Sequence, residues 1–100
     1  GWTGVGADNN GLYQEGTGPA PGSYEEGIED YKLVKDKPGE VFRDDTNLAM
    51  WKYDRSQFWS YDDPEMVTQK LAYIAERGLG GAMIWSLDGD DGSLVAAMSP

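Results

Sequence analysis

The side chains able to do chemistry in this sequence are carboxylates and aromatic rings. Its 100 residues hold eighteen Asp and Glu, four Trp and six Tyr, with no Cys and no His. That excludes disulfides, thiol nucleophiles and the common zinc ligand sets, and with them a serine–histidine–aspartate triad. The acids fall into clusters: Glu25, Glu26, Glu29 and Asp30 in one stretch, Asp62 and Asp63 in another. Two carboxylates about 5–10 Å apart, with pKa values pushed in opposite directions, can break a glycosidic bond. Neighbouring surface acids meet that spacing by chance, so the pairs alone identify no reaction. The run Asp88-Gly-Asp-Asp-Gly invites a calcium reading. Counting from Asp88, however, position 5 is Gly92 and position 12 is Ser99, where a helix–loop–helix calcium site needs oxygen ligands. The simpler reading is a solvated loop that caps the following helix. No glycine-rich phosphate loop with its lysine is present.

Eight basic and eighteen acidic residues leave a net charge of −10. Such a charge repels phosphate backbones and anionic lipid, which argues against nucleic-acid and membrane-surface roles. The longest apolar-rich run, Leu79 to Leu87, is far shorter than the roughly 20 residues needed to cross a bilayer. A soluble molecule is expected, with no metal and no cofactor. Gly1 stands without an initiator methionine or a basic, apolar leader, as in a processed or trimmed segment. Aromatic residues make up 12 % of a chain with a mean hydropathy of −0.61. Either the rings supply buried area to a small core, or some of them stack on a flat ligand such as a sugar. Composition alone favours the first.

The elements that position these residues follow from pattern. The first 22 residues are rich in Gly and Pro and read as loop or short edge strands, anchored by Trp2, Val5, Leu12 and Tyr13. Ser23-Tyr-Glu-Glu26 has capping-box spacing. Tyr24, Ile28, Tyr31 and Val34 then predict a helix, starting there or at Gly27 and stopped by Pro38-Gly39. Short strands are expected at Val41–Arg43 and Leu48–Tyr53, the latter joined through Asp54-Arg-Ser-Gln57 to Phe58–Tyr61 as an antiparallel hairpin. Asp63 as cap, Pro64 at the first turn and Gly78 as stop delimit a helix over 64–77, with Val67, Leu71, Ile74 and Ala75 as its apolar stripe. Ala82 to Trp85 is apolar at every position, which predicts a strand over 80–86 buried on both faces. Met83 and Trp85 would share one of those faces. Gly92 to Met98 begins another helix. Helix, strand, loop and helix in that order form one unit of an alternating α/β fold. In a barrel of that kind functional residues sit at the C-terminal ends of strands, where Trp85 stands.

Taken together, SYDDPEMVTQKLAYIAERG and LGGAMIWSLDGDDG resemble the last barrel helix and strand of glycoside hydrolase family 18 chitinases. GWTGV with GPAPGSYEEGIEDYKLV is similar to the small α+β insertion domain of the deep-grooved bacterial members. The resemblance implies an α+β chain in two parts. Residues 1–60 would be the insertion domain, a small antiparallel sheet with one helix. Residues 61–100 would be the C-terminal segment of a catalytic TIM barrel. It further implies a secreted, extracellular enzyme that hydrolyses β-1,4-linked N-acetylglucosamine polymers. In this family the substrate's acetamido oxygen is the nucleophile and a barrel glutamate is the acid. The family's catalytic run, Asp-x-x-Asp-x-Asp-x-Glu, occurs nowhere in these residues, so no catalytic residue is assigned. Three substrate contacts carry over by resemblance: Trp85 as the indole flooring the subsite at the cleaved bond, Met83 beside it, and Glu25 on the insertion domain. The expected partners are chitin or chito-oligosaccharide and the rest of the barrel. A non-catalytic carbohydrate-binding protein of the same fold is the alternative, and an unrelated protein-interaction module a third.

Overall fold

Five short strands build one antiparallel sheet in the computed structural model, which describes residues 1–99. They are β1 (Trp2–Thr3), β2 (Gly18–Pro19), β3 (Glu40–Asp44), β4 (Ala49–Tyr53) and β5 (Phe58–Ser60), in the order β2-β1-β5-β4-β3. Both hairpins are set by an aspartate that starts a turn. Asp44 Oδ1 accepts from the N–H groups of Thr46 and Asn47 at 3.0 and 3.1 Å, pairing Asp44 with Ala49. Asp54 Oδ1 accepts from Ser56 and Gln57 at 2.9 and 2.6 Å, pairing Tyr53 with Phe58. These are Asx turns, in which a short carboxylate takes the place of a backbone acceptor. The strand and hairpin boundaries agree with the sequence pattern to within a residue or two.

β4 lies at the centre of the packing. Trp51 and Tyr53 point to one face, where Val5, Leu12, Phe42 and Phe58 pack around them. Phe42, Trp51 and Phe58 form a stacked row across three strands, with ring centroids 5.7 and 6.4 Å apart. The polar ends of the buried rings are matched: Trp51 Nε1 donates to the Asn10 carbonyl at 3.1 Å and the Tyr53 hydroxyl to the Val5 carbonyl at 2.6 Å. This is the satisfaction that buried Tyr and Trp require. On the opposite face Trp59 packs with Ala20, Val34 and Tyr61.

The first helix differs from its expectation. Instead of running from Ser23 or Gly27, α1 is one turn, Tyr31–Val34. Ser23 does not close a box with Glu26: its N–H and hydroxyl both reach Glu29 Oε2 at 3.1 Å. Glu25 and Ile28 form an isolated bridge instead, and Gly27 holds a positive φ of 81°. One glycine and a competing side-chain acceptor outweigh four apolar residues at helical spacing, because helix nucleation is costly and local polar contacts compete with it. α1 is held by a buried cation. Lys52, 3 % exposed, donates from Nζ to the carbonyls of Val34, Lys35 and Lys37 at 2.8, 2.9 and 2.9 Å. A positive charge on the C-terminal carbonyls also complements the helix dipole.

α2 (Pro64–Arg77) agrees with its expected ends. Asp63 accepts from Met66 N–H at 2.8 Å, Pro64 opens the first turn, and Gly78 closes the helix in the left-handed region at φ 65°. Its stripe is only partly covered: Met66 is buried, Val67, Leu71 and Ile74 are half-buried, and Ala75 is exposed. α3 (Ser93–Met98) packs against α2.

Residues 80–86 differ most from expectation. Ala82 to Trp85 join no ladder, and among the described residues no strand lies beside them. A strand buried on both faces needs hydrogen-bonded neighbours on both edges. Without them the segment is irregular, with Met83 79 % and Trp85 92 % exposed.

Candidate functional site

Trp85 stands on the rim of a cleft of about 260 Å³ whose opposite wall is the stretch leading into α1. Ile84, Ser86 and Asp90 border it on the Trp85 side, and Ile28, Glu29, Asp30 and Tyr31 on the other. Residues more than fifty apart in the chain meet there because α1 holds the loop 86–91. Lys32 Nζ donates to the Asp88 carbonyl at 2.6 Å, and Lys35 pairs with the Asp91 carboxylate. The crossing is close: a Cβ at Gly89 would lie 2.9 Å from Asp30 Oδ1, so that side chain would have to move aside.

The loop is ordered by its own acids. Asp90 accepts from the N–H groups of Leu94 and Val95 at 3.1 and 3.0 Å, and Asp91 from that of Ser93 at 2.9 Å. These are the free donors at the start of α3, so the aspartates cap it. That is the loop role expected from the sequence.

Electrostatics favour binding over proton transfer. Burial alone would raise the Glu29 carboxyl, but hydrogen bonds from Ser23 and the Asp30 N–H, with Lys37 nearby, hold it below the usual range. The Ser86 hydroxyl does the same for Asp88. A general acid needs a pKa shifted upward, and these two carboxyls move the other way. Burial raises the Tyr31 phenol, which is therefore a neutral donor or acceptor at the cleft wall. Tyr31 also packs on Tyr61, with ring centroids 6.3 Å apart. The cleft thus presents a large exposed indole, a phenol and several hydrogen-bond acceptors, a surface suited to a polyhydroxylated ligand with an apolar face.

Of the three residues expected to contact substrate, the structure brings only Trp85 to this cleft. Met83 lies exposed two residues before it and does not line it. Glu25 is exposed in the turn that ends at Ile28, so its backbone is near the wall while its side chain does not line the cleft. Sequence reasoning missed Asp30 and Tyr31, having placed Tyr31 on an apolar helical stripe. The signal for them was the pair Lys32 and Lys35, cationic at helical spacing, together with the acidic loop they can reach.

The family profile for glycosyl hydrolases family 18 matches residues 1–90. Chitinase 63 of Streptomyces plicatus is 41 % identical over 101 residues, covering 98 % of this chain and 16 % of its own length. The catalytic domain of psychrophilic chitinase B from Arthrobacter TAD20 superposes with a TM-score of 0.84 at 42 % identity, covering 97 % of this chain and 22 % of that one. A family 18 N-acetylglucosaminidase from Paenibacillus barengoltzii gives a TM-score of 0.77 at 27 % identity, covering 97 % and 29 %. The chain spans roughly a sixth of the length of the first of these relatives, and less than a third of either solved chain.

Proposed function

The chain belongs to glycosyl hydrolases family 18, and from that premise we propose that it is part of a secreted chitinase that hydrolyses β-1,4-linked N-acetylglucosamine polymers. In this reading residues 1–60 form one wall of the substrate cleft and residues 61–100 belong to the catalytic TIM barrel. The observation that carries it is the 92 % exposed indole of Trp85, set across a narrow cleft from Asp30 and Tyr31. A pyranose presents a face of C–H groups, and an indole is the largest flat apolar surface a protein can place beneath it. Hydroxyls at the ring edge would meet the acceptors of the opposite wall. Met83 and Glu25 are proposed as further sugar contacts, reached once the 80–86 segment pairs with neighbouring barrel strands.

The chemistry itself would be done elsewhere in the longer protein. The acidic run that ends in the family's catalytic glutamate is not among these residues, and general acid–base catalysis contributes about 10²–10⁴-fold. The full-length protein is expected to release chromophore from a chitobioside, whereas residues 1–100 alone give no turnover above a buffer blank. Turnover by the isolated chain would refute this division of labour. A full-length protein that binds chito-oligosaccharide without cleaving it would instead support a non-catalytic carbohydrate-binding protein of the same fold. The sequence of its acidic run decides that alternative.

A further inference from the structure

The wall of the cleft and the loop that carries Trp85 are fastened together by one turn of helix. Lys32 in α1 and Lys35 at its C-cap reach the Asp88 carbonyl and the Asp91 carboxylate. Gly89 sits close to the Asp30 side chain where the two elements meet. A four-residue helix does not persist unaided. α1 is held from behind by Lys52, buried and bonded to the carbonyls of Val34, Lys35 and Lys37 at and just beyond its C-terminus. A continuous series of contacts therefore runs from β4 through Lys52, α1 and the two lysines to the loop that begins beside Trp85.

We infer that Lys32 and Lys35 are positioning residues, which set the distance between the Trp85 indole and the opposing wall of the sugar cleft. This rests on the reading of Trp85 as a sugar platform. Neither lysine lines the cleft, so each acts through the loop. The Lys35–Asp91 pair is partly solvated, and such pairs add little to global stability. Their effect belongs in the geometry of the site, because misplaced binding groups cost affinity even where the fold is intact.

The test is a charge swap in the full-length protein, with chitotriose as the probe. Lys35→Asp and Asp91→Lys should each weaken chitotriose binding about 3–5-fold, with a melting temperature near wild type for Lys35→Asp and somewhat lowered for Asp91→Lys, which also loses a cap of α3. The double variant, which restores opposite charges, should recover to within about twofold. Amide exchange at Gly89 and Asp90, measured without sugar, should quicken in each single variant and slow again in the double. Unchanged exchange in the single variants, or a double variant no better than the sum of its parts, would overturn the clamp. Exchange that follows the swap while chitotriose binds none of the proteins would leave the clamp standing and overturn its role at a sugar site, along with the platform reading.

Discussion

At the scale of single residues, Lys52 shows how a charge can be buried at little cost. Its three carbonyl partners lie at 2.8–2.9 Å, replacing most of the hydration it loses. Burial still lowers its pKa, the direction expected when the charged form is desolvated. Lys52→Met should take the donor from the Lys35 and Lys37 carbonyls, while that of Val34 still accepts from the Lys37 N–H at 3.1 Å, and each buried unsatisfied group costs about 1–3 kcal/mol. If the cost is about 2 kcal/mol, amide exchange at Val34 and Lys35 should quicken roughly 30-fold. Unaltered exchange there would mean that α1 is held by something else. Asp91 and Lys35 give a second residue-scale expectation. The Lys35 hydrogen bond, with that of Ser93, drives the Asp91 carboxyl well below its usual range. The same hydrogen bond raises the Lys35 ammonium, with Asp36 and Tyr31 adding to it. A depressed carboxyl contributes stability above its unfolded pKa of about 3.9, and that stability is lost as pH falls through the folded value. A raised lysine contributes fully below about 10.4, and its part is lost as pH rises through its own folded value. Exchange at Gly89 and Asp90, corrected for the intrinsic pH dependence of the chemistry, should therefore be flat between about pH 4 and 10. A step in protection near neutrality would contradict the pairing.

At the scale of elements, legibility in the sequence followed the range of the forces involved. α2 could be read to the residue because its cap, its first-turn proline and its terminal glycine act locally. The hairpin through Asp54 was legible for the same reason, whereas the turn that Asp44 sets between β3 and β4 was not read. The 23–37 segment was misread because apolar spacing says nothing of Ser23 turning to Glu29, or of Lys52 arriving from a strand to hold a single turn. The 80–86 segment exposes a different limit. Its apolar run states that the segment should be buried, but a strand exists only where other strands accept its backbone, and among the described residues none does. Trp85 was therefore legible as a residue of interest, through the resemblance and its place beside the acidic loop. Its cleft partners Asp30 and Tyr31 were not, because they depend on long-range docking of α1 to that loop. One measurable consequence concerns the isolated chain. Amides of Met50 to Tyr53 in the doubly covered β4 should exchange slowly, and those of Ala82 to Trp85 fast. Protection of Ala82 to Trp85 at high dilution would mean that the segment finds partners within these residues.

At the scale of the whole molecule, the proposed reading joins a wall and a platform. The stretch leading into α1 would supply the wall, Lys32 and Lys35 hold the loop, and the exposed Trp85 indole would take the ligand. Several large apolar side chains near Trp85 in the chain are also exposed, among them Leu79, Met83 and Leu87. The barrel reading expects neighbouring strands to cover such side chains. The most direct measurement is chitotriose affinity in the full-length protein with Trp85 changed to Ala. An aromatic side chain offers about 150–250 Å². If roughly half is covered by sugar, at about 25 cal/mol per Å² the contact contributes on the order of 2–3 kcal/mol. Trp85→Ala should then weaken binding roughly 30–100-fold with a melting temperature near wild type, since the ring contributes little to the core. Affinity equal to wild type, or a melting temperature that collapses as a core ring's would, would contradict the account.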